Sequence, residues 1–288
     1  MHRRQALLTF LRALAPAAGF SGDSALRYTA KAVSFGPRPP GSDAIHRLQA
    51  YILSQLKTTG CEIIEDDFTA RTRLGPVAMK NIIARFRGTS GRALAVTGHY
   101  DTKLMHGVPF VGANDGGSST GFLLEMARVL AGRSNQDDVY LVWFDGEEAV
   151  FAWTDADGLY GSRHLARRWS DDRTATRLKA LINVDMIGDR DLGILQEMGS
   201  SPGLRKLVWQ VAEEIGYGRY FLDVSGYIED DHTPFAAAGV NALDLIDFDY
   251  GPGNSYWHTA QDTVDKLGAH SFQVVGDVLL EVLRRLER

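Results

Sequence analysis

Short, nearly continuous apolar runs alternate along this chain with segments in which apolar residues recur every three or four positions. Such runs are typical of parallel strands buried on both faces, and the second pattern is typical of helices. Because the two alternate, we predict an α/β fold with a mostly parallel central sheet and helices on both faces. The predicted strands are Asn81–Phe86, Ala93–Thr97, Val139–Phe144, Ala180–Val184 and Ala242–Ile246.

The predicted helices lie between and after these strands. The first follows Ser42, a favourable N-cap residue, and ends at Gly60. The proline-rich run Gly36–Gly41 before it is predicted to be an extended loop rather than a domain boundary. The other predicted helices are Ser119–Ala131, Gly161–Arg168, Pro202–Ile215, Thr233–Ala238 and Gln261–Leu286.

Composition limits the classes of function open to the chain. It has 288 residues, of which 44% are hydrophobic, and a net charge of −5. That charge argues against nucleic-acid binding, which usually needs a basic face. No uncharged apolar run approaches the ~20 residues of a membrane-spanning helix. The single cysteine, Cys61, excludes an internal disulfide and a cysteine-rich zinc site.

The N-terminal residues have a pattern of their own. Arg3 and Arg4 precede a mainly apolar stretch, which Arg12 interrupts, and small residues follow. A weak secretory signal and an amphipathic first helix explain this pattern equally well. We therefore expect residues 1–22 to be a signal or an N-terminal helix and residues 23–288 to be one catalytic domain. The expected location is secreted or periplasmic.

Polar side chains that can bind a metal or transfer a proton follow four of the predicted strands. His99 follows the second strand, Glu147 and Glu148 follow the third, Asp185 ends the fourth, and His258 lies after the fifth. Ligands of open α/β sheets bind at the carboxyl ends of strands. We therefore expect these side chains to meet at one edge of the sheet.

Imidazole and carboxylate groups are ligands that zinc prefers, and a catalytic zinc keeps one position open. Asp115 adds a further candidate, because it lies in a glycine-rich turn directly before a predicted helix. Taken alone, a turn that only caps the helix is the more ordinary explanation of Asp115. The full set of candidate ligands is His99, Asp115, Glu148, Asp185 and His258.

The adjacent pair Glu147 and Glu148 is a stronger signal, because unpaired charge at the end of a buried strand is costly. One acid can bind a metal while its neighbour acts as a base. A solvent-exposed pair is the alternative. Asp230 belongs to a second acidic cluster, in which Asp231 could cap the next helix and leave Asp230 free to point elsewhere.

Several segments resemble the glutaminyl-peptide cyclotransferases (glutaminyl cyclases) and, more broadly, the co-catalytic zinc aminopeptidases that share their fold. The resemblance covers roughly residues 24–288, and the insertion with Trp153, the doubled Asp230-Asp231 and the Trp257-His258 pair favour the cyclases. The segments that carry it are residues 98–103, 110–115, 144–149, 159–166, 229–235 and 257–259.

This resemblance implies a role for each candidate. One zinc is expected at Asp115, Glu148 and His258, and Glu147 is the expected acid/base. Asp185 and Asp230 are expected to form a hydrogen-bonded acidic network, and the expected pocket residues are Trp153, Trp257 and Ile228. His99 and Asp185 also match ligands of a second metal in the aminopeptidases, so ligand identity leaves one zinc or two open.

The resemblance also implies the reaction. The expected substrates are peptides or proteins with N-terminal glutamine, whose γ-carbonyl zinc polarises while Glu147 transfers a proton from the α-ammonium group to the departing ammonia. The chain departs from animal cyclases in having Ala152 where they carry a histidine and in lacking their disulfide. The alternative is a di-zinc aminopeptidase; a non-catalytic binding domain is remote, because all candidate ligands are present.

Overall fold

The computed structural model describes residues 19–288. The predicted signal or N-terminal helix falls mainly on residues 1–18, which lie outside the described residues. Phe20 is already part of the fold, because its side chain is 5% exposed and its ring centroid lies 4.9 Å from that of Phe122. Among residues 19–288, no helix combines the length and the apolar character needed to cross a bilayer.

Seven α-helices and eight β-strands make up the described region. The helices are α1 (Gly22–Val33), α2 (Asp43–Leu56), α3 (Gly117–Leu130), α4 (Tyr160–Asp171), α5 (Pro202–Glu214), α6 (Thr233–Ala237) and α7 (Ala269–Leu286). The strands are β1 (Glu62–Thr72), β2 (Gly75–Phe86), β3 (Ala93–His99), β4 (Asp138–Phe144), β5 (Leu178–Asp185), β6 (Ile194–Glu197), β7 (Phe221–Gly226) and β8 (Ala242–Ile246).

The main sheet has six strands in the order β1-β2-β4-β3-β5-β8. Strands β4, β3, β5 and β8 are parallel, whereas β1 and β2 form an antiparallel hairpin beside β4. The predicted α/β fold with a mostly parallel sheet is therefore confirmed. The sequence analysis did not identify β1, β6 and β7, because polar and exposed residues interrupt the apolar pattern of each strand.

Helices cover both faces of the sheet, as predicted. Successive residues of a strand point to opposite faces, and β3 shows this division: Leu94 and Val96 join one apolar cluster, while Ala93 and Ala95 join another. The larger cluster includes residues of α1, α2, α3, α5 and α7. The smaller one includes α4 and α6, so each face has its own core.

Most helix predictions agree with the structure to within a few residues, and Ser42 is the N-cap of α2. The last one is wrong at its start, because α7 begins at Ala269 rather than Gln261. The carboxylate of Asp262 accepts hydrogen bonds from the N–H groups of Asn114 and Asp115. These bonds hold the segment before α7 against the Asp115 turn, where it forms only a short 3-10 helix, Val264–Lys266, in place of the predicted α-helix.

Candidate active site and metal centre

The carboxyl ends of three neighbouring strands bring most of the candidate residues together. His99 ends β3 and Asp185 ends β5, while Glu147 and Glu148 follow β4 on the other side of β3. His258 reaches the same place from the loop between β8 and α7. Its φ of +51° is rare for a residue with a side chain, and such strained backbone occurs mainly at functional sites.

One group of three ligand atoms fits a zinc ion. His258 Nε2 lies 3.1 Å from Asp115 Oδ2 and 3.0 Å from Glu148 Oε1. The buried oxygen Asp115 Oδ2 has no hydrogen bond of good geometry within the described residues, as expected of an atom that binds a cation. One imidazole and two carboxylates match the donors of catalytic zinc sites, which leave a position open for substrate.

A second group of ligand atoms shares Asp115 with the first. His99 Nε2 lies 3.2 Å from Asp115 Oδ1 and 3.2 Å from Asp185 Oδ1. His99 is only 1% exposed and therefore lies deeper than His258. Both groups could each hold one metal ion.

Without a metal, the histidine ligands interact as proton donors with the carboxylate ligands. Burial opposes ionisation of His258, but contacts with Asp115 and Glu148 outweigh it and raise the pKa of His258 to about 10. Burial would raise the pKa of Asp115, yet interactions with His258 and His99 lower it below its ordinary value. Zinc binding must therefore displace the proton on His258, so zinc affinity should depend on pH.

Glu147 lies beside the first ligand group. Its side chain is buried, and its N–H and that of Glu148 donate to the two oxygens of Asp101 at 3.1 and 3.4 Å. Burial raises the pKa of Glu147 well above its ordinary value; His99 counteracts this effect, and Glu148 and Asp230 add to it. A carboxyl group with a raised pKa suits a residue that accepts and returns a proton near neutral pH.

Asp185 and Asp230 lie close to Glu147 but have different partners. Asp185 contacts His99, and burial raises the pKa of Asp185 to about 7. Asp230 Oδ2 accepts a hydrogen bond of 2.8 Å from the Asn183 amide, which also donates to Asp244 Oδ1 at 3.1 Å. Asp185 and Asp230 therefore have separate hydrogen-bond partners, and no direct Asp185–Asp230 hydrogen bond occurs within residues 19–288. The acidic network between them stays a prediction.

The possibility that Asp231 caps the next helix is wrong. Helix α6 begins at Thr233 with His232 as its N-cap residue, and no side chain caps it. Asp231 is fully buried, and neither carboxylate oxygen has a hydrogen bond of good geometry within the described region. Burial raises the pKa of Asp231 well above its ordinary value, and Asp230 raises it further.

A cavity of about 280 Å³ opens onto these groups. Trp257 stacks on His258 with ring centroids 4.1 Å apart, and Phe248 packs on Trp257 at 5.0 Å. The cavity therefore has acids at its base and aromatic residues in its walls. Its lining residues are Asp115, Glu147, Glu148, Trp153, Asp185, Tyr227, Ile228, Glu229, Asp230, Ile246, Phe248, Trp257 and His258. Of the predicted site residues, only His99 lies outside this lining.

The sequence analysis gave no role to three buried residues that support the site: Arg38, Asp101 and Asp262. Arg38 is fully buried in the loop before α2, where its guanidinium donates to the carbonyls of Tyr100 and Gly112 at 2.8 Å each. All three residues act mainly through backbone groups of the site loops. The sequence carries no pattern that predicts such contacts. Only Asp101 lay in a candidate segment, because it follows His99 by two residues.

Comparisons with known proteins agree with this geometry. Residues 81–283 match Peptidase family M28. A crystal structure of an Acidobacteriales bacterium glutaminyl cyclase has a TM-score of 0.91 and 40% identity, covering 97% of this chain and 99% of that one. A Zn-dependent exopeptidase from Parabacteroides distasonis has a TM-score of 0.82 and 26% identity, covering 93% of this chain and 99% of that one.

Curated relatives point to the same enzymes. The glutaminyl-peptide cyclotransferase of Bos taurus is 30% identical over 84% of this chain and 76% of that protein. Across three such relatives, this chain spans about two thirds to three quarters of their length. The chain therefore belongs to peptidase family M28 and, within that family, to the glutaminyl cyclases.

Proposed function

We propose that this protein is a zinc-dependent glutaminyl-peptide cyclotransferase, which converts N-terminal glutamine to pyroglutamate and releases ammonia. The observation that carries the proposal is the cavity itself. It places the Asp115–Glu148–His258 ligand group next to the buried carboxyl of Glu147, and aromatic side chains form its walls. Membership of the glutaminyl cyclases supports the same reaction. Zinc is supported by the donor set and by the similar exopeptidase described as Zn-dependent.

The cavity suits a glutamine residue at the start of a peptide. The aromatic rings of Trp153 and Trp257 and the side chain of Ile228 can pack on the glutamine methylene groups. The carboxyl groups of Glu147 and Asp230 provide acceptors for its α-ammonium group. The rest of the peptide can extend through the mouth of the cavity, so the proposed substrates are peptides and proteins with N-terminal glutamine.

Glu147 is the residue that moves the proton in this reaction. When bound at Asp115, Glu148 and His258, zinc supplies a Lewis acid that polarises the γ-carbonyl of the substrate. Glu147 accepts a proton from the α-ammonium group, and the freed amine attacks the γ-carbon. A C–N bond forms and the bond to the amide nitrogen breaks. Glu147 returns the proton to that nitrogen, which leaves as ammonia, and the second proton that the attacking amine loses on becoming the lactam N–H is released to water.

Asp230 helps to orient the proton that Glu147 transfers and the nitrogen atom that leaves. Its carboxylate accepts a hydrogen bond from the Asn183 amide, which restricts its orientation in the cavity that Glu147 also lines. Because ring closure is intramolecular, the enzyme contributes mainly the alignment of the amine with the γ-carbon. The buried cavity further strengthens each electrostatic contact.

We further propose that one zinc suffices for this reaction. The deep position of His99, with Asp115 and Asp185 as its partners, supports a structural hydrogen-bonding role for it. The intact second ligand group is, however, the observation that favours a di-zinc aminopeptidase. In that alternative, Glu147 would deprotonate a water molecule that attacks the first peptide bond.

One assay separates the two reactions. The purified protein is incubated with a glutamine-initiated and a leucine-initiated peptide, and the products are read by mass spectrometry while metal content is measured by elemental analysis. Loss of ammonia from the first peptide alone, with one zinc per chain, supports the cyclotransferase. Release of free amino acids with two zincs per chain would instead make the protein an aminopeptidase.

A further inference from the structure

The cavity wall that carries Trp153 is a single loop between β4 and α4, residues 150–158, which we call the Trp153 loop. It begins two residues after the ligand Glu148 and returns to the same strand end. There the N–H groups of Leu159 and Tyr160 donate to the carbonyls of Glu147 and Gly146, each at 2.7 Å. The base of the loop is therefore attached directly to the acid/base residue.

Asp157 is the centre of this loop. Its side chain is 1% exposed, although it lies in a surface loop. Its carboxylate accepts hydrogen bonds from the N–H groups of Val150 at 2.8 Å and of Phe151 and Ala152 at 3.0 Å each. The hydroxyl of Tyr160 donates to the same carboxylate at 2.8 Å. One side chain thus holds three consecutive backbone groups directly before Trp153.

The charge state of Asp157 agrees with this arrangement. Burial alone would raise its pKa, but the donors from Ala152, Tyr160, Val150 and Phe151 together lower it below the ordinary value. Asp157 is therefore ionised at neutral pH, and hydrogen bonds to a charged acceptor are the stronger kind. The backbones of Thr154 and Asp157 also pair with each other, at 3.2 and 3.0 Å, which closes the loop on itself.

Trp153 depends on such support because its own side chain is 39% exposed. Its ring lies on Gly158, where a Cβ atom would come within 3.1 Å of the ring atom Cζ3. Its Nε1 donates to Glu229 Oε2 at 3.0 Å, across the mouth of the cavity. Arg163 donates to the loop carbonyl of Asp155 at 2.5 Å and lies 3.8 Å from Glu229.

We propose that Asp157 is a positioning residue that holds Trp153 in the cavity wall, and that Glu229 supports the ring at its outer edge. This inference rests on the proposed function, in which Trp153 packs on the substrate. Asp157 contacts no reacting atom, so its contribution is to preform the wall. A preformed wall lowers the ordering cost of substrate binding and therefore acts mainly on KM.

The first test measures the exposure of Trp153 without any turnover. The chain has five tryptophans, so acrylamide quenching is measured in the holoenzyme with and without Trp153→Phe, and the difference reports Trp153. Asp157→Asn should raise this component of quenching by up to about 2.5-fold, because the amide group cannot accept all three N–H donors and Trp153 is already 39% exposed. Asp155→Asn is the matched control, since Asp155 is an exposed carboxyl in the same loop.

The second test uses steady-state kinetics with a glutamine-initiated peptide. Asp157→Asn should raise KM about tenfold, the size expected for lost hydrogen bonds to a charged group, with kcat within about threefold of wild type. Tyr160→Phe removes one hydrogen-bond donor to Asp157 and should raise KM about threefold. Glu229→Gln should raise KM less than Asp157→Asn, because the amide oxygen can still accept from Trp153.

The outcomes separate this inference from the proposed function. Equal quenching in Asp157→Asn, Asp155→Asn and wild type would overturn the positioning role, and so would a loss of kcat with unchanged KM. If wild type fails to cyclise glutamine peptides, the proposed function fails. The quenching measurement still decides whether Asp157 holds Trp153, and the milder Tyr160→Phe variant remains informative if Asp157→Asn folds poorly.

Discussion

Glu147 and Glu148 are adjacent in sequence but have different surroundings. Glu148 Oε1 faces His258, whereas burial and, to a smaller extent, neighbouring acids favour the protonated form of Glu147. The sequence analysis predicted that one of them binds metal and the other acts as a base. The structure supplies the physical difference between them, which their residue type alone does not contain.

Replacing Glu147 with glutamine tests the acid/base role. Glu147→Gln keeps the shape of the side chain and should keep zinc and the melting temperature near wild type. Turnover should fall by ~10²–10⁴-fold, the typical contribution of a general acid/base. Activity is measured with a glutamine-initiated peptide and zinc by elemental analysis. Wild-type turnover in this variant would contradict the assignment.

Replacing ligands of the two groups tests where the zinc binds. Asp115→Ala removes the residue that both groups share and should abolish stoichiometric zinc. His258→Ala should do the same, whereas His99→Ala should retain about one zinc if only the first group holds the metal. Zinc is counted after dialysis against a weak chelator. Retention of zinc by Asp115→Ala would refute its role as a ligand.

At the scale of elements, the predicted strands and the ligand-bearing strand ends agree with the structure. A buried parallel strand must be apolar along its whole length, so the sequence marks it clearly. Strand β1 lies at the edge of the sheet, and charged residues at positions 62, 65, 66, 67 and 71 interrupt its apolar pattern, so it was not predicted. The late start of α7 depends on hydrogen bonds to a distant loop, which no local pattern reveals.

The close packing of α1 against α3 gives a prediction at this scale. A Cβ atom on Gly121 of α3 would lie 2.5 Å from the carbonyl oxygen of Ala25 in α1 and would also collide with Thr29. Because backbone atoms of a helix cannot move aside individually, Gly121→Ala should destabilise the protein by roughly 2–3 kcal/mol.

Chemical denaturation measures the free energy of unfolding of this variant. Gly132→Ala is the matched control, because a Cβ atom there has only one neighbour, at 3.9 Å. The control should stay within about 0.5 kcal/mol of wild type, as surface substitutions usually do. Similar stability of the two variants would contradict the close packing of α1 against α3.

At the scale of the whole molecule, a buried contact between Glu197 and His232 joins the small sheet to the cavity wall. Glu197 ends β6 and lies 3.2 Å from His232, and its Oε1 accepts from the N–H of Ile228 at 3.3 Å. Burial opposes ionisation of Glu197, but His232, Gly199 and other donors outweigh it and lower the pKa of Glu197 to about 2.

This lowered pKa predicts a contribution to stability that depends on pH. A carboxyl group with a depressed folded-state pKa stabilises the protein above its unfolded value, and this stabilisation is lost as pH falls from about 4.5 towards 2. Glu197→Gln should therefore be less stable than wild type at pH 7, and the gap should narrow below about pH 4.5.

Urea unfolding of chelator-treated protein at several pH values measures this gap without interference from zinc release. Glu213→Gln, an exposed glutamate of α5, is the control and should leave the gap near zero throughout. A constant gap between Glu197→Gln and wild type from pH 7 to pH 3 would contradict the lowered pKa of Glu197. The expectation of a secreted or periplasmic location is not tested by residues 19–288 and stays a prediction.

The sequence by itself determined the α/β fold, the strand ends at which the chemistry is placed, and the residue types of the ligand set. These features are local: apolar runs mark buried strands, and polar residues directly after them must lie at the carboxyl edge. Only the tertiary structure decided the partners of each acid, the burial of Arg38 and Asp157, and the shape of the cavity. Those properties depend on contacts between residues distant in the chain, such as Trp153 with Glu229, and such contacts leave no periodic signal in the sequence.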